Sequence, residues 1–235
     1  MFNPIKKIHA LKHELKEEKD CVILNGPFKK MKYINCAIGS TIFPKIIGSY
    51  ESILTDWITE ISDKKYSTFV DVGCAEGYYA VGVAKKNPKI KVIAFDIDKD
   101  ARKLCKDLAK LNNCKNVVVK EKITHNFINK LPKKTLILCD IEGGETSLLD
   151  PKKAPNLYNL DMIVELHDVF GKKILLTMLN RFSTTHKIEI VSDVAPNEKD
   201  YDFGKYKKGN NLLDEKRYLT SIWLRLTSKK KKTKK

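Results

Sequence analysis

Short, nearly continuous apolar runs recur along this chain, and amphipathic stretches separate them. Runs at 69–72, 91–95, 116–120, 136–139, 161–168, 187–191 and 218–226 are rich in Val, Ile, Leu and Phe and have the length of strands. Between them the apolar spacing becomes helical: Ala80, Val83 and Ala84; Ala101, Leu104, Cys105, Leu108 and Leu111; Ile174, Leu175, Met178, Leu179 and Phe182. Ahead of the first run, Ile53, Leu54, Trp57, Ile58 and Ile61 form a further stripe, with Ser49 placed to cap it. Pro88 ends the first crossover helix, and Asp98 caps the second. Strand and helix alternate from 67 to 182, and a polar, turn-rich stretch over 194–216 joins the last two runs. This order predicts an α/β fold, doubly wound, with a mostly parallel seven-stranded sheet covered on both faces and a hairpin-like antiparallel edge at its end.

The N-terminal part has a different texture. Ile5, Ile8, Leu11 and Leu15 predict a short amphipathic helix within residues 1–20. His9 and His13 lie one turn apart on it, without the intervening glutamate of a zinc-protease helix, and read as a solvated face. Residues 21–48 mix short apolar runs with Gly26, Pro27, Gly39, Pro44 and Gly48, and predict strands and turns. The expected organisation is a small N-terminal extension over 1–48, a main domain over 49–227 and a disordered lysine-rich tail over 228–235.

Composition narrows the class. With 235 residues and 42% hydrophobic content, the chain can bury one full α/β core but not two. No run of 18 apolar residues marks a membrane span, and Met1 to Lys7 lack a signal core, so a cytoplasmic location is expected. None of the six cysteines forms a C-x-x-C pair, and several fall on predicted buried faces, which argues for reduced thiols. The net charge is +16, and six of those charges are lysines in the tail over 229–235. The other lysines are scattered rather than interleaved with aromatics, so the charge by itself does not argue for nucleic acid.

The chemistry gathers where the strands end. The first run leads into Asp71-x-Gly73-x-Ala75-x-Gly77 and then a helix. Glycines there let backbone approach a ligand, and the helix start offers free N–H groups. An acid two residues before the first glycine would repel a pyrophosphate, but suits a cationic, amine-bearing ligand. Asp96, at the tip of the second run, is placed to accept hydrogen bonds from ribose hydroxyls. Asp140, Glu142 and Glu145 follow the fourth run; Glu165, His167 and Asp168 finish the fifth. Carboxylates massed at one sheet edge of a basic protein call for a cation, either an onium ligand or a divalent metal such as Mg²⁺. His167 is the best candidate base, since its ordinary pKa is near ~6.5. Asp140, His167 and Asp168 are alternatively metal ligands, and spacing alone does not choose between these roles.

The stretch from Asp71 to Gly77, with Asp96, resembles class I S-adenosylmethionine (SAM) methyltransferases, whose fold is Rossmann-like. Asp140-x-Glu142-Gly-x-Glu145, the turn from Phe69 to Tyr78, and Ile47-Gly-Ser-Tyr-Glu51 resemble the FkbM-type group, over roughly residues 45–182, and the stretch from Val164 to Asp168 fits a subset of it. The resemblance implies a SAM-dependent O-methyltransferase acting on a hydroxyl of a sugar, polysaccharide or other small metabolite. It implies cofactor contacts from Glu51, Asp71, Gly73, Ala75, Gly77, Asp96 and Asp140, and an active centre near His167, Asp140 and Glu142. A metal, if bound, would fall to Asp140 and Asp168. Glu76 and Tyr78 depart from the commonest superfamily pattern. Two other readings compete: a nucleic-acid methyltransferase and a non-catalytic scaffold. The first lacks the Asn/Asp-Pro-Pro-aromatic motif after the fourth run, where Asp140-Ile-Glu-Gly stands; the second fits poorly with intact glycines and acids.

Overall fold

The computed structural model describes residues 13–14 (backbone only), 21–61, 66–167, 173–206, 212–217 and 221–229. Seven strands build the central sheet: β1 (Thr68–Val72), β2 (Lys91–Phe95), β3 (Val117–Lys120), β4 (Thr135–Cys139), β5 (Asp161–Leu166), β6 (His186–Ser192) and β7 (Ile222–Ser228). Their order is β6-β7-β5-β4-β1-β2-β3. Strands β1 to β5 pair in parallel, and β7 runs antiparallel to both β5 and β6. The chain winds from β1 outward through β2 and β3, then returns to the other side of β1 as β4. The switch point therefore lies between β1 and β4, and a crevice opens beyond their carboxyl ends.

The alternating faces of the strands sort into two cores. Phe69, Val92, Ala94, Leu136 and Leu138 face one side; Val70, Val72, Ile93, Ile137 and Cys139 face the other. Every residue of β1, β4 and β5 is buried, as their nearly continuous apolar runs require of strands covered on both faces. Helices α3 (Tyr78–Lys86) and α4 (Lys99–Leu111) cover the first face, joined by α2 (Thr55–Ile61). The Asp98 carboxylate accepts from the amides of Asp100 and Ala101 and starts α4. Helix α7 (Ile174–Phe182) lies on the second face through Ile174, Met178 and Phe182. The short α5 (His125–Asn129) and α6 (Glu145–Leu148) follow β3 and β4.

The expected antiparallel hairpin does close this end of the sheet: β6 and β7 pair antiparallel, with β7 inserted beside β5 and β6 left at the edge. Burial explains it, because Trp223, Leu224 and Leu226 of β7 are fully buried and need neighbours on both sides, whereas Ile190 of β6 is half exposed. The segment before α2 is more than strands and turns. It contains a helix, α1 (Ile42–Ile47), and two-residue ladders pairing Cys21–Val22 with Lys32–Tyr33 and His13–Glu14 with Cys36–Ala37. Residues His13 and Glu14 are thus extended, and the rest of the helix expected over 1–20, His9 included, lies outside the described residues. Ser49 caps no helix. A 3-10 turn (Ser52–Leu54) leads into α2, and the Ser49 hydroxyl turns back to the carbonyl of Pro44. Residues 230–235 of the tail also lie outside the description.

Cys21, Ile23, Phe28, Met31, Tyr33, Ile42 and Ile46 belong to the same buried cluster as α3 and the sheet, so residues 21–47 complete the first-face core. No helix among the described residues is long and apolar enough to cross a membrane.

Candidate functional site

The turn after β1 is shaped by what it must fit past. Gly73 has a φ of +83°, and a Cβ there would stand 1.7 Å from the carbonyl oxygen of Asp140, so only glycine passes between β1 and the end of β4. Gly77 (φ +98°) opens α3, and a Cβ on it would meet Cys105 Sγ of α4 at 2.8 Å. Gly77 therefore serves helix packing. Asp96 closes the turn from the β2 side: one carboxylate oxygen accepts from the Ala75 amide at 2.9 Å, the other from the Asp98 amide at 2.8 Å.

These elements enclose a cavity of about 570 Å³, and Asp71, Gly73, Ala75, Asp96, Asp140 and Glu142 all line it. Glu51, Gly77 and His167 lie behind its wall, and Asp168 is outside the described residues. Among the described residues, two buried polar groups of the cavity wall have no hydrogen-bond partner: Oδ2 of Asp71 and the hydroxyl of Tyr78. Asp71 keeps one tie, to the Ala80 amide, and burial pushes its pKa up to about 7. Lys45, 2% exposed, also lines the cavity. Its ammonium pairs with Glu76 and lies 4.7 Å from the centre of the Tyr50 ring. Glu76 in turn accepts from the Tyr33 hydroxyl at 2.6 Å and the Ile38 amide at 3.1 Å. This acid of the glycine turn thereby binds the N-terminal segment to the cavity.

The cavity thus offers an unsatisfied carboxylate for a cation, with an ammonium and a hydroxyl nearby for an anion. Ile97, 75% exposed at the rim beside Asp96, adds an apolar surface. That donor set fits SAM, which carries an ammonium, a carboxylate, ribose hydroxyls and a flat base.

A second group of side chains lies past the ends of β4 and β5. His167 Nδ1 donates to the buried Glu145 at 2.8 Å. Its Nε2 faces Asp140 Oδ1 at 3.5 Å, Glu142 at 3.5 Å and Glu165 at 3.7 Å. Burial would lower the pKa of His167, but the bond to Glu145 and the charges of Glu165 and Glu142 prevail and hold it up at about 9. Burial would raise Glu145; the bonds from His167 and from the Gly143 amide outweigh it and hold Glu145 below the usual range. Asp140 is pushed well up by burial and by the neighbouring charges of Glu165, Glu51 and Glu142.

Arg217, reaching in from the stretch before β7, ties this group together. Its guanidinium pairs with Glu51, with Glu165 at 2.8 Å, with Glu215 at 2.8 Å and with Asp193 at 3.4 Å. Glu51 also accepts from the Tyr79 hydroxyl, and burial still pushes its pKa up to about 7. Lys45 and Arg217 escape a sequence reading, and so do the roles of Glu76 and Tyr78. Arg217 meets partners 52 and 166 residues away and has no local motif. The departure of Glu76 and Tyr78 from the superfamily pattern was the available signal for those two.

No curated protein sequence matches the chain. Among solved structures, cofactor-bound Rv0187 from MTB is similar at a TM-score of 0.50 and 10% identity, over 72% of this chain and 77% of that one. Precorrin-6y C5,15-methyltransferase from Geobacter metallireducens GS-15 is similar at 0.49 and 11%, over 74% and 88%. Precorrin 8W decarboxylase from Methanobacterium thermoautotrophicum is similar at 0.47 and 15%, also over 74% and 88%. At such identities the first of these likenesses speaks for the fold alone. The family model described as a methyltransferase domain matches residues 63–231, most of the chain and all seven strands of the sheet. The chain therefore belongs to the methyltransferase-domain family, the SAM-dependent methyltransferases of class I fold.

Proposed function

We propose that this chain is an O-methyltransferase of FkbM type, transferring the methyl group of SAM to a hydroxyl of a sugar, a glycan or another small metabolite. The observation that carries the reading is the carboxylate–imidazole group beside the glycine turn, with Asp140 and Glu142 in the cavity wall and His167 directly behind them. SAM supplies an electrophilic methyl on a sulfonium, whose C–S bond breaks as the new O–C bond forms, leaving S-adenosylhomocysteine.

The chain's own residues would do the rest. Asp71 holds the ligand ammonium, and Lys45 with the Tyr78 hydroxyl receives its carboxylate. Asp96 turns from the Ala75 and Asp98 amides toward the ribose, and the turn through Gly73 and Ala75 lies along the cofactor. An acceptor hydroxyl must shed a proton as its oxygen attacks. Asp140 and Glu142 are proton acceptors at the cavity wall, and His167 orients them through Nε2. Glu51 lies one layer back and supports the site through Tyr79 and Arg217. A phosphodiester acceptor would meet these carboxylates, which favours an uncharged acceptor over nucleic acid.

Calorimetric titration of the full chain with S-adenosylhomocysteine tests the cofactor half. Saturable one-to-one binding is expected, weakened at least tenfold, or about 1.4 kcal/mol, by Asp96→Ala. A sample that melts cooperatively yet binds nothing would sink the reading and favour a scaffold. A mass gain of one methyl on a hydroxylated acceptor tests the other half, against RNA as the competing acceptor.

A further inference from the structure

Past β4 and β5, one carboxylate oxygen each of Asp140 and Glu165 and a ring nitrogen of His167 lie within 4.8 Å of one another. The separations are those of a coordination shell. Bonds of about 2.1 Å at angles between square and tetrahedral put neighbouring donor atoms about 3.0–3.4 Å apart. Nε2 stands 3.5 Å from Asp140 and 3.7 Å from Glu165, close enough for a small ion to draw them in. The imidazole is already oriented for it. Nδ1 is committed to Glu145, which leaves Nε2 turned to the two carboxylates, as in carboxylate–histidine–metal arrangements.

Three further observations favour a cation at this place. The buried Glu145 has a second oxygen, Oε2, with no hydrogen-bond partner among the described residues. Asp140 and Glu165 hold carboxylate oxygens within 4.8 Å of each other, a like-charge approach that a cation between them relieves. Among the described residues, seven carboxylates of this region (Glu51, Asp140, Glu142, Glu145, Glu165, Asp193 and Glu215) share one guanidinium and one imidazole.

We propose that Asp140, Glu165 and His167 form a binding site for one divalent transition-metal ion of the Mn²⁺ type. The donor set selects the ion: two carboxylates alone suit Mg²⁺ or Ca²⁺, and the imidazole shifts preference toward Mn²⁺, Fe²⁺, Co²⁺ or Zn²⁺. Glu165 is nearly buried, and its other oxygen is held by Arg217, so it presents a single oxygen to the ion. Asp140 lines the cofactor cavity, so the ion borders the place where an acceptor oxygen approaches. Its function in methyl transfer rests on the proposed O-methyltransferase reading; its binding does not.

The test uses the full chain, stripped with chelator and titrated with Mn²⁺ alone. Free Mn²⁺ is followed by electron paramagnetic resonance, and nitrogen coupling to bound Mn²⁺ by pulsed measurement. One saturable site with a nitrogen ligand is expected, with affinity lowered at least tenfold in Glu165→Gln and the nitrogen coupling lost in His167→Gln. Asp140→Asn, at a position partly open to the cavity, serves if either buried variant fails to fold, and should also weaken Mn²⁺ at least tenfold. The absence of saturable binding to folded wild-type protein, or binding that none of the folded variants changes, overturns the site. S-adenosylhomocysteine titrated into the same stripped sample keeps the two readings apart. Cofactor binding without Mn²⁺ binding removes the metal site alone, and Mn²⁺ binding without cofactor binding leaves the metal site standing and removes the methyl-transfer reading.

Discussion

Asp71 is a carboxylate kept from water, and its behaviour with pH follows from that. Burial raises its pKa to about 7; Asp96 and Glu51 push it the same way, while the Ala80 amide and Lys45 oppose. In the unfolded chain the group titrates near ~3.9. Between those values the folded state holds the proton more tightly, so Asp71 makes the ligand-free protein lose stability as pH rises from about 4 to about 7. A ligand ammonium reverses the balance, because it favours the ionised form. Affinity for S-adenosylhomocysteine should therefore rise with pH up to about 7, by as much as about tenfold per unit, and level off above. Calorimetry at several pH values should show this slope in the wild type, with Asp71→Asn binding more weakly and without it. A wild-type affinity that ignores pH would remove Asp71 from the ammonium. Much at this scale was legible in the sequence. Asp71, Gly73, Ala75 and Asp96 sit on one cavity because a strand, a tight turn and a crossover fix their positions locally. Lys45 was not legible, since what makes it notable is the space it faces.

At the scale of elements, the stretch over 212–217 acts through one side chain. Arg217 is the cation shared by Glu51 before α2, Glu165 on β5, Asp193 after β6 and Glu215 beside it. Glu51 and Glu165 are both nearly fully buried, so removing their partner leaves charges without water or counter-ion. Arg217→Ala should cost on the order of 3 kcal/mol in urea denaturation. Arg217→Lys should recover only part, because one ammonium cannot fork to four carboxylates. Wild-type stability in Arg217→Ala would mean that water takes over the guanidinium's place. The strands themselves were readable as apolar runs, and all seven runs found in the sequence are strands of the sheet. The antiparallel pairing of the last two was legible as well; which of them lies against β5 was not. A run such as that of β7 says that it is buried, not which neighbours bury it.

At the scale of the whole molecule, the N-terminal segment is part of the main core. Phe28 packs edge-on against Tyr78 and Tyr79 of α3, with centroids 5.1 and 6.1 Å away. Tyr33 and Lys45 are fastened to Glu76 of the glycine turn. A chain starting at residue 49 would expose the first-face core and leave Glu76 buried without its cation. We expect that truncated chain to lack the cooperative thermal transition of the full protein, as followed by circular dichroism. An unchanged transition would show residues 21–48 to be a dispensable cover. The molecule also combines a net charge of +16 with an acidic interior site, so its overall charge says little about its ligand.

By itself the sequence determined the α/β alternation, the glycine turn and the acids at the strand tips. Each depends on neighbours a few residues away: apolar spacing sets strand or helix, and a missing Cβ sets the turn. The tertiary structure alone decided that β7 is inserted, that Arg217 serves four carboxylates, and that Glu165 joins Asp140 and His167. Those outcomes depend on which distant segments share a surface. Long-range burial and charge pairing settle that only when the sheet has closed.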